Sequence, residues 1–124
     1  MSHIMANCIV IDDDQDTVKV FCEILSMIGL DVLATGTDGM EAVELYERYK
    51  PDLIFVDLLM PKCDGFYAIE RIRDIDPDAK IVIVTGDLRA GESYLLDSFN
   101  VTAVIYKPFD MYTIKRVLTD IFSV

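Results

Sequence analysis

Short runs of β-branched and aromatic residues alternate along this chain with longer segments whose apolar positions recur every three or four residues. That alternation predicts repeated strand–helix units. The runs place strands at Asn7 to Asp12, Asp31 to Ala34, Leu53 to Asp57, Lys80 to Thr85 and Ala103 to Lys107. Four of them are nearly unbroken Ile, Val, Leu or Phe, which suits a parallel sheet covered by helices on both faces. The second is short, is interrupted by Ala34, Thr35 and Gly36, and reads as an edge.

The periodic segments predict five helices. The first, from about Asp16 to Ile28, carries the stripe Val18, Phe21, Leu25 and Ile28 and stops at Gly29. Thr37 or Asp38 caps a second that sets Ala42, Leu45, Tyr46 and Tyr49 on one side before Pro51 turns the chain out. A third runs from about Gly65 to Ile75, and a fourth from about Ala90 to Phe99. The fifth follows the cap Asp110 and buries Ile114, Val117, Leu118 and Ile121. Gly36, Gly39 and Gly65 read as turn residues. With right-handed crossovers, the fold class is α/β: a three-layer, doubly wound (βα)5 sandwich of the flavodoxin-like kind, its parallel sheet ordered 2-1-3-4-5 by analogy.

The length of 124 residues and a hydrophobic share of 52% suit one domain, spanning residues 7–124. Residues 1–6 read as a disordered or cloning-derived N-terminus, and His3 within them is set aside. No second domain is expected after the fifth helix, so the chain reads as a stand-alone protein or a fragment. Eleven basic against 22 acidic residues give a formal charge of −11, which disfavours direct nucleic acid binding and anionic membrane surfaces. No run approaches the roughly 20 apolar residues of a membrane span, and a cytoplasmic location is expected. Cys8, Cys22 and Cys63 lack disulfide or zinc spacing and read as free thiols.

In a sheet of this kind function lies at the carboxyl ends of the strands, near the reversal between strands 1 and 3. There stand Asp12, Asp13 and Asp14, then Asp57, Thr85 and Lys107. Carboxylates drawn together where hydration is poor need a cation between them, and a purely oxygen donor set suits magnesium. An ionised Asp57 beside that ion can attack a phosphoryl group, with Thr85 offering a hydroxyl and Lys107 an ammonium to the phosphoryl oxygens. Asp12 and Asp13 are assigned to the metal and Asp14 to capping the first helix.

The segments Ile11-Asp12-Asp13-Asp14, Asp57-Leu58-Leu59-Met60-Pro61 with Asp64-Gly65, Val84-Thr85-Gly86 and Tyr106-Lys107-Pro108-Phe109 resemble those of response-regulator receiver (CheY-like) domains of two-component signalling. The resemblance covers the chain after Asn7. It implies a phosphorylation-dependent switch in which a histidine kinase or histidine phosphotransfer protein phosphorylates Asp57. Asp12 and Asp13 would form the acid pocket, Leu59 would lend its backbone carbonyl to Mg²⁺, and the Lys107–Pro108 bond would be cis. It also implies an unidentified downstream protein, read by the face of helix 4, strand 5 and helix 5 with Arg89, Tyr94, Tyr106 and Tyr112, and a monomer or a phosphorylation-dependent dimer. The family's usual aromatic three positions before the lysine is replaced by Val104. Leu59 and Asp87 match positions that tune hydrolysis, and a leucine that cannot orient water implies a long-lived phosphoryl group.

Two other functions are weighed. A phosphohydrolase with an aspartyl phosphate would place a nucleophile and a second acid two apart after strand 1, whereas the acids here are adjacent. A flavin or nucleotide binder would need a phosphate-cradling loop there, and three aspartates repel phosphate. The expectation is a phosphoacceptor that self-phosphorylates and autodephosphorylates, with no turnover of an external substrate.

Overall fold

The computed structural model describes residues 5–60, 62–86 and 92–122. Residues 1–4, Pro61, Asp87, Arg89 and the expected helix start at Ala90 lie outside them. Strands and helices alternate strictly: β1 (Asn7–Ile11), α1 (Gln15–Ile28), β2 (Asp31–Gly36), α2 (Gly39–Tyr49), β3 (Leu53–Val56), α3 (Gly65–Ile75), β4 (Ile81–Thr85), α4 (Glu92–Phe99), β5 (Ala103–Tyr106) and α5 (Met111–Phe122). All strand pairs are parallel, in the order β2-β1-β3-β4-β5.

The apolar runs of β1, β3, β4 and β5 are nearly continuous because each of these strands feeds two cores at once. Successive side chains point to opposite faces. In β1, Cys8 and Val10 join Phe21, Leu25, Ile114 and Leu118 from α1 and α5. Ile9 and Ile11 join Ala42, Tyr46, Ile69 and Ile72 from α2 and α3. The stripe expected on α1 is the observed one, with Val18, Phe21, Leu25 and Ile28 all buried.

Local chemistry sets the helix ends. Asp14, Asp38 and Asp64 cap α1, α2 and α3, accepting from the backbone N–H of Asp16 (3.1 Å), Glu41 (2.9 Å) and Tyr67 (3.1 Å). Asp110 does the same for Thr113 at 2.8 Å in α5. Each side-chain oxygen satisfies an amide that the first helical turn leaves without a partner. Gly29 closes α1 at φ 110°, in the left-handed region that glycine enters without a Cβ clash.

Some expectations need correction. Tyr49 does not join the inner side of α2 but is 41% exposed, because the helix ends there and Lys50 turns left-handed at φ 44°. Val117 and Ile121 are only partly buried on α5. β5 is as apolar as the central strands, yet as an edge it fully buries only Ile105. Gly36, Gly39 and Gly65, expected in turns, lie at the ends of regular elements instead: Gly36 ends β2, while Gly39 and Gly65 open helices.

Tyr46 reaches across from α2 to donate its hydroxyl to Asp76, the cap residue at the end of α3, at 2.8 Å. Tyr46→Phe deletes that bond while keeping the ring, so unfolding by urea should show a loss of about 0.5–1.5 kcal/mol. Leu25→Ala, which empties a fully buried position, should lose about 2–5 kcal/mol. Equal losses from the two would contradict this division between hydrogen bonding and packing.

Candidate functional site

Parallel register brings the strand ends to one edge of the sheet. Ile11 of β1 lies opposite Val56 of β3, so the next residue of each strand, Asp12 and Asp57, emerge side by side. The ladder runs one step further: Asp57 N–H donates to Ile11 O at 3.0 Å, and Asp12 N–H to Gly36 O at 3.1 Å. Both aspartates are buried, at 4% and 7% relative exposure, and Thr85 at the end of β4 is buried at 1%. Asp13 stays exposed.

Lys107 spans the two buried acids. Its ammonium donates to Asp12 Oδ2 at 2.7 Å and to Asp57 Oδ2 at 3.2 Å. Its backbone N–H donates to Thr85 O at 2.8 Å, tying the end of β5 to the end of β4. The Lys107–Pro108 peptide is cis. Phe109, just beyond, packs edge-on against Phe21 at 4.9 Å between ring centres, and Phe21 packs the same way on Phe55 at 4.9 Å. This aromatic file seats the turn that carries Lys107 on the core. The residue pattern did not reveal it, because the contact joins segments far apart in sequence.

The electrostatics are unbalanced. Burial pushes the Asp57 carboxyl above the usual carboxylate range; Lys107 opposes that shift and the charge of Asp12 adds to it. The Leu59 backbone N–H also bonds the Asp57 carboxylate and favours its charged form. Burial alone would depress the Lys107 ammonium, but its bond to Asp12 and the nearby charges of Asp57 and Asp12 hold it above its ordinary value. Asp14, as expected, serves α1: its carboxyl is lowered first by the Thr17 hydroxyl, which donates to it at 2.8 Å.

Carboxylate oxygens of Asp12, Asp13 and Asp57 lie within 4.8 Å of one another. Three negative groups face one ammonium, and the donors are all hard oxygens, so the set fits a small divalent cation of the magnesium kind. Leu59 follows two residues after Asp57, is 48% exposed, and borders an open depression with Asp13, Met60 and Asp64. The site residues anticipated from the strand ends thus gather at one edge. Gly65 is one that sequence reasoning treated too lightly: a Cβ there would lie closer than 3.0 Å to the Asp57 carbonyl oxygen.

Comparison with known proteins gives one result. The family described as response regulator receiver domain matches residues 8–119. The chain is 36% identical over 121 residues to the chemotaxis protein CheY of Treponema pallidum, covering 94% of this chain and 80% of that protein. It is 30% identical over 115 residues to CheY of Thermotoga maritima, covering 91% and 94%. Among solved structures, a CheX–CheY–BeF3–magnesium complex from Borrelia burgdorferi superposes with a TM-score of 0.84 at 28% identity, covering 94% of this chain and 88% of the other. The receiver domain of a sensor histidine kinase from Pseudomonas aeruginosa, with magnesium coordinated in its active site cleft, superposes at 0.85 with 23% identity over 98% and 100%. That second likeness shows the fold.

A raised carboxyl opposes folding in a definite pH window. As pH rises through the unfolded-state value of about 3.9, the unfolded chain releases the Asp57 proton first, and stability falls until the folded group has also ionised. Asp57→Asn removes the penalty. In chelator-treated buffer at neutral pH its thermal midpoint should lie above that of the parent, with the gain vanishing below about pH 3.9. A lower midpoint at neutral pH would mean that the pairing with Lys107 outweighs burial and repulsion.

Proposed function

The chain belongs to the response regulator receiver family, which works as a phosphorylation-dependent signalling switch, and we propose that Asp57 is its phosphoacceptor. The observation that carries this reading is the pair of buried acids Asp12 and Asp57 bridged by the part-buried Lys107, with the exposed Asp13 beside them. A histidine kinase or histidine phosphotransfer protein presents a phosphohistidine. An ionised Asp57 oxygen forms a bond to phosphorus as the phosphorus–nitrogen bond breaks, and the electron pair remains on the imidazole. The product is an acyl phosphate.

Asp12, Asp13, Asp57 and the Leu59 carbonyl would hold Mg²⁺, which supplies positive charge beside the phosphoryl oxygens when bound. The chain's own residues do the rest. Asp57 needs no general base, since its reactive form is the carboxylate. Lys107 loses one carboxylate partner when Asp57 becomes an acyl phosphate and turns its ammonium to the new phosphoryl oxygens. Thr85, at the end of the neighbouring strand, offers its hydroxyl to another. The protein is a switch with slow self-dephosphorylation, not an enzyme for an external substrate.

The readout face is formed by α4, β5 and α5, where Tyr94 and Tyr112 are exposed at 55% and 77% and Tyr106 is half-buried. A downstream protein binds there, to a monomer or to a dimer formed on phosphorylation. The formal charge of −11 over the whole chain favours a protein partner over nucleic acid. No helix among the described residues is long and apolar enough to cross a membrane. A cytoplasmic location is part of the same proposal.

Incubation with acetyl phosphate and magnesium should add one phosphoryl group by intact mass, and Asp57→Asn should take up none. An adduct on both proteins would remove Asp57 from the role. Leu59 cannot hydrogen-bond an attacking water, so the adduct should outlast the scale of seconds, and Leu59→Asn should shorten its life. Release from the parent within seconds in magnesium buffer would overturn that assignment.

A further inference from the structure

A glycine outside the charged cluster packs directly against the loop that carries Asp57. Gly39 opens α2 without entering the left-handed region, so its value lies in the missing side chain. Its N–H donates to Cys63 O at 2.7 Å, on the arm of the loop returning from Asp57 to α3. The next amide, that of Met40, donates to the Cys63 thiol. A Cβ on Gly39 would lie closer than 3.0 Å to the Asp64 carbonyl oxygen and 3.1 Å from both Cys63 O and Cys63 Sγ.

The Asp64 carbonyl has little room to retreat, because it accepts from Ala68 N–H in the first turn of α3 at 3.4 Å. Beyond it the same arrangement repeats. Gly65 N–H donates to Leu58 O at 2.9 Å, and a Cβ on Gly65 would collide with the Asp57 carbonyl oxygen and lie 2.9 Å from Leu58 Cα. The start of α2, the start of α3 and the Asp57 backbone are therefore stacked with no side chain between them. Leu58 and Met60, at 1% and 7% exposure, pin the outgoing arm from below.

We infer that Gly39 is a positioning residue: its bare Cα lets α2 hold the Cys63–Gly65 arm, and through Gly65 the Asp57 backbone, where divalent-cation binding requires it. The inference rests on the receiver reading above. Magnesium demands near-ideal octahedral geometry, so displacing one arm of the loop by a few tenths of an ångström weakens binding. Gly39→Ala also tests this cleanly, since alanine is the better helix former and would not weaken α2 if the contact were absent.

Calorimetric titration of the parent, Gly39→Ala and Tyr46→Phe with magnesium chloride decides the matter. Expected are a measurable affinity for the parent, a loss of about 10-fold or more in folded Gly39→Ala, and no change in Tyr46→Phe, which alters the far end of the same helix. Parent-like affinity in Gly39→Ala, or an equal loss in Tyr46→Phe, overturns the positioning role while leaving the phosphoacceptor site intact. No magnesium uptake by the parent overturns the site itself. Amide hydrogen exchange on the parent gives a reading without any variant. Slower exchange at Gly39 and Met40 on adding magnesium supports the link, and unchanged exchange overturns it.

Discussion

Two carboxylates leave water at the ends of neighbouring strands, and the molecule's function follows from how that repulsion is contained. Parallel register makes the encounter unavoidable: once β1 and β3 pair with Ile11 opposite Val56, their next residues must emerge together. At about 4–5 Å, two unit charges repel by roughly 3–4 kcal/mol for an effective dielectric near 20. Lys107 offsets part of this with bonds to both acids. Asp13 then adds a third negative charge at the open side. A divalent cation at the open side would neutralise the negative charge that Lys107 leaves unbalanced.

The same tension explains why the supporting structure is so closely joined. The Lys107 turn is held to β4 by a backbone bond and to α1 by the Phe109–Phe21 contact. Asp57 is held to β1 by the ladder bond from its amide, and its carbonyl is pressed against Gly65. Charges that repel would otherwise separate by moving their backbones, and a site that relaxes in this way loses its affinity for a small, strongly hydrated ion. Rigidity at the strand ends is thus part of the chemistry.

Most of this architecture was legible in the residues because it is written in local patterns. Period-two and period-three-to-four apolar spacing identify the strands and helices, aspartates mark the helix starts, and polar residues ending apolar runs mark the site. What escaped notice depends on contacts between distant segments. Nothing in the spacing distinguishes β5, as apolar as β3, from a central strand except its place in the order. Gly39 and Gly65 look like ordinary turn glycines until the loop from Asp57 is seen to pass against them. Tyr49 continues the α2 stripe on a helical wheel, but the helix stops at that residue.

Val104 changes how the switch can be read out. In register it lies opposite Ile83, and it packs against the core of the α2–α3 layer, as Phe66 and Phe99 also do. Valine has one stiff side-chain torsion, so its positions differ by little buried surface. At about 0.8 kcal/mol per buried methylene, two methyl groups cannot bias a conformational equilibrium as far as a swinging aromatic ring. The aromatic mass of this layer lies elsewhere: Phe66, the residue after Gly65, touches Phe99 at 5.0 Å, and Phe99 touches exposed Tyr94 at 5.8 Å. A ligand shifts a protein only through contacts that differ between states. Among the described residues, Phe66 on α3 with Phe99 and Tyr94 on α4 offers more aromatic surface for such contacts than Val104 on β5.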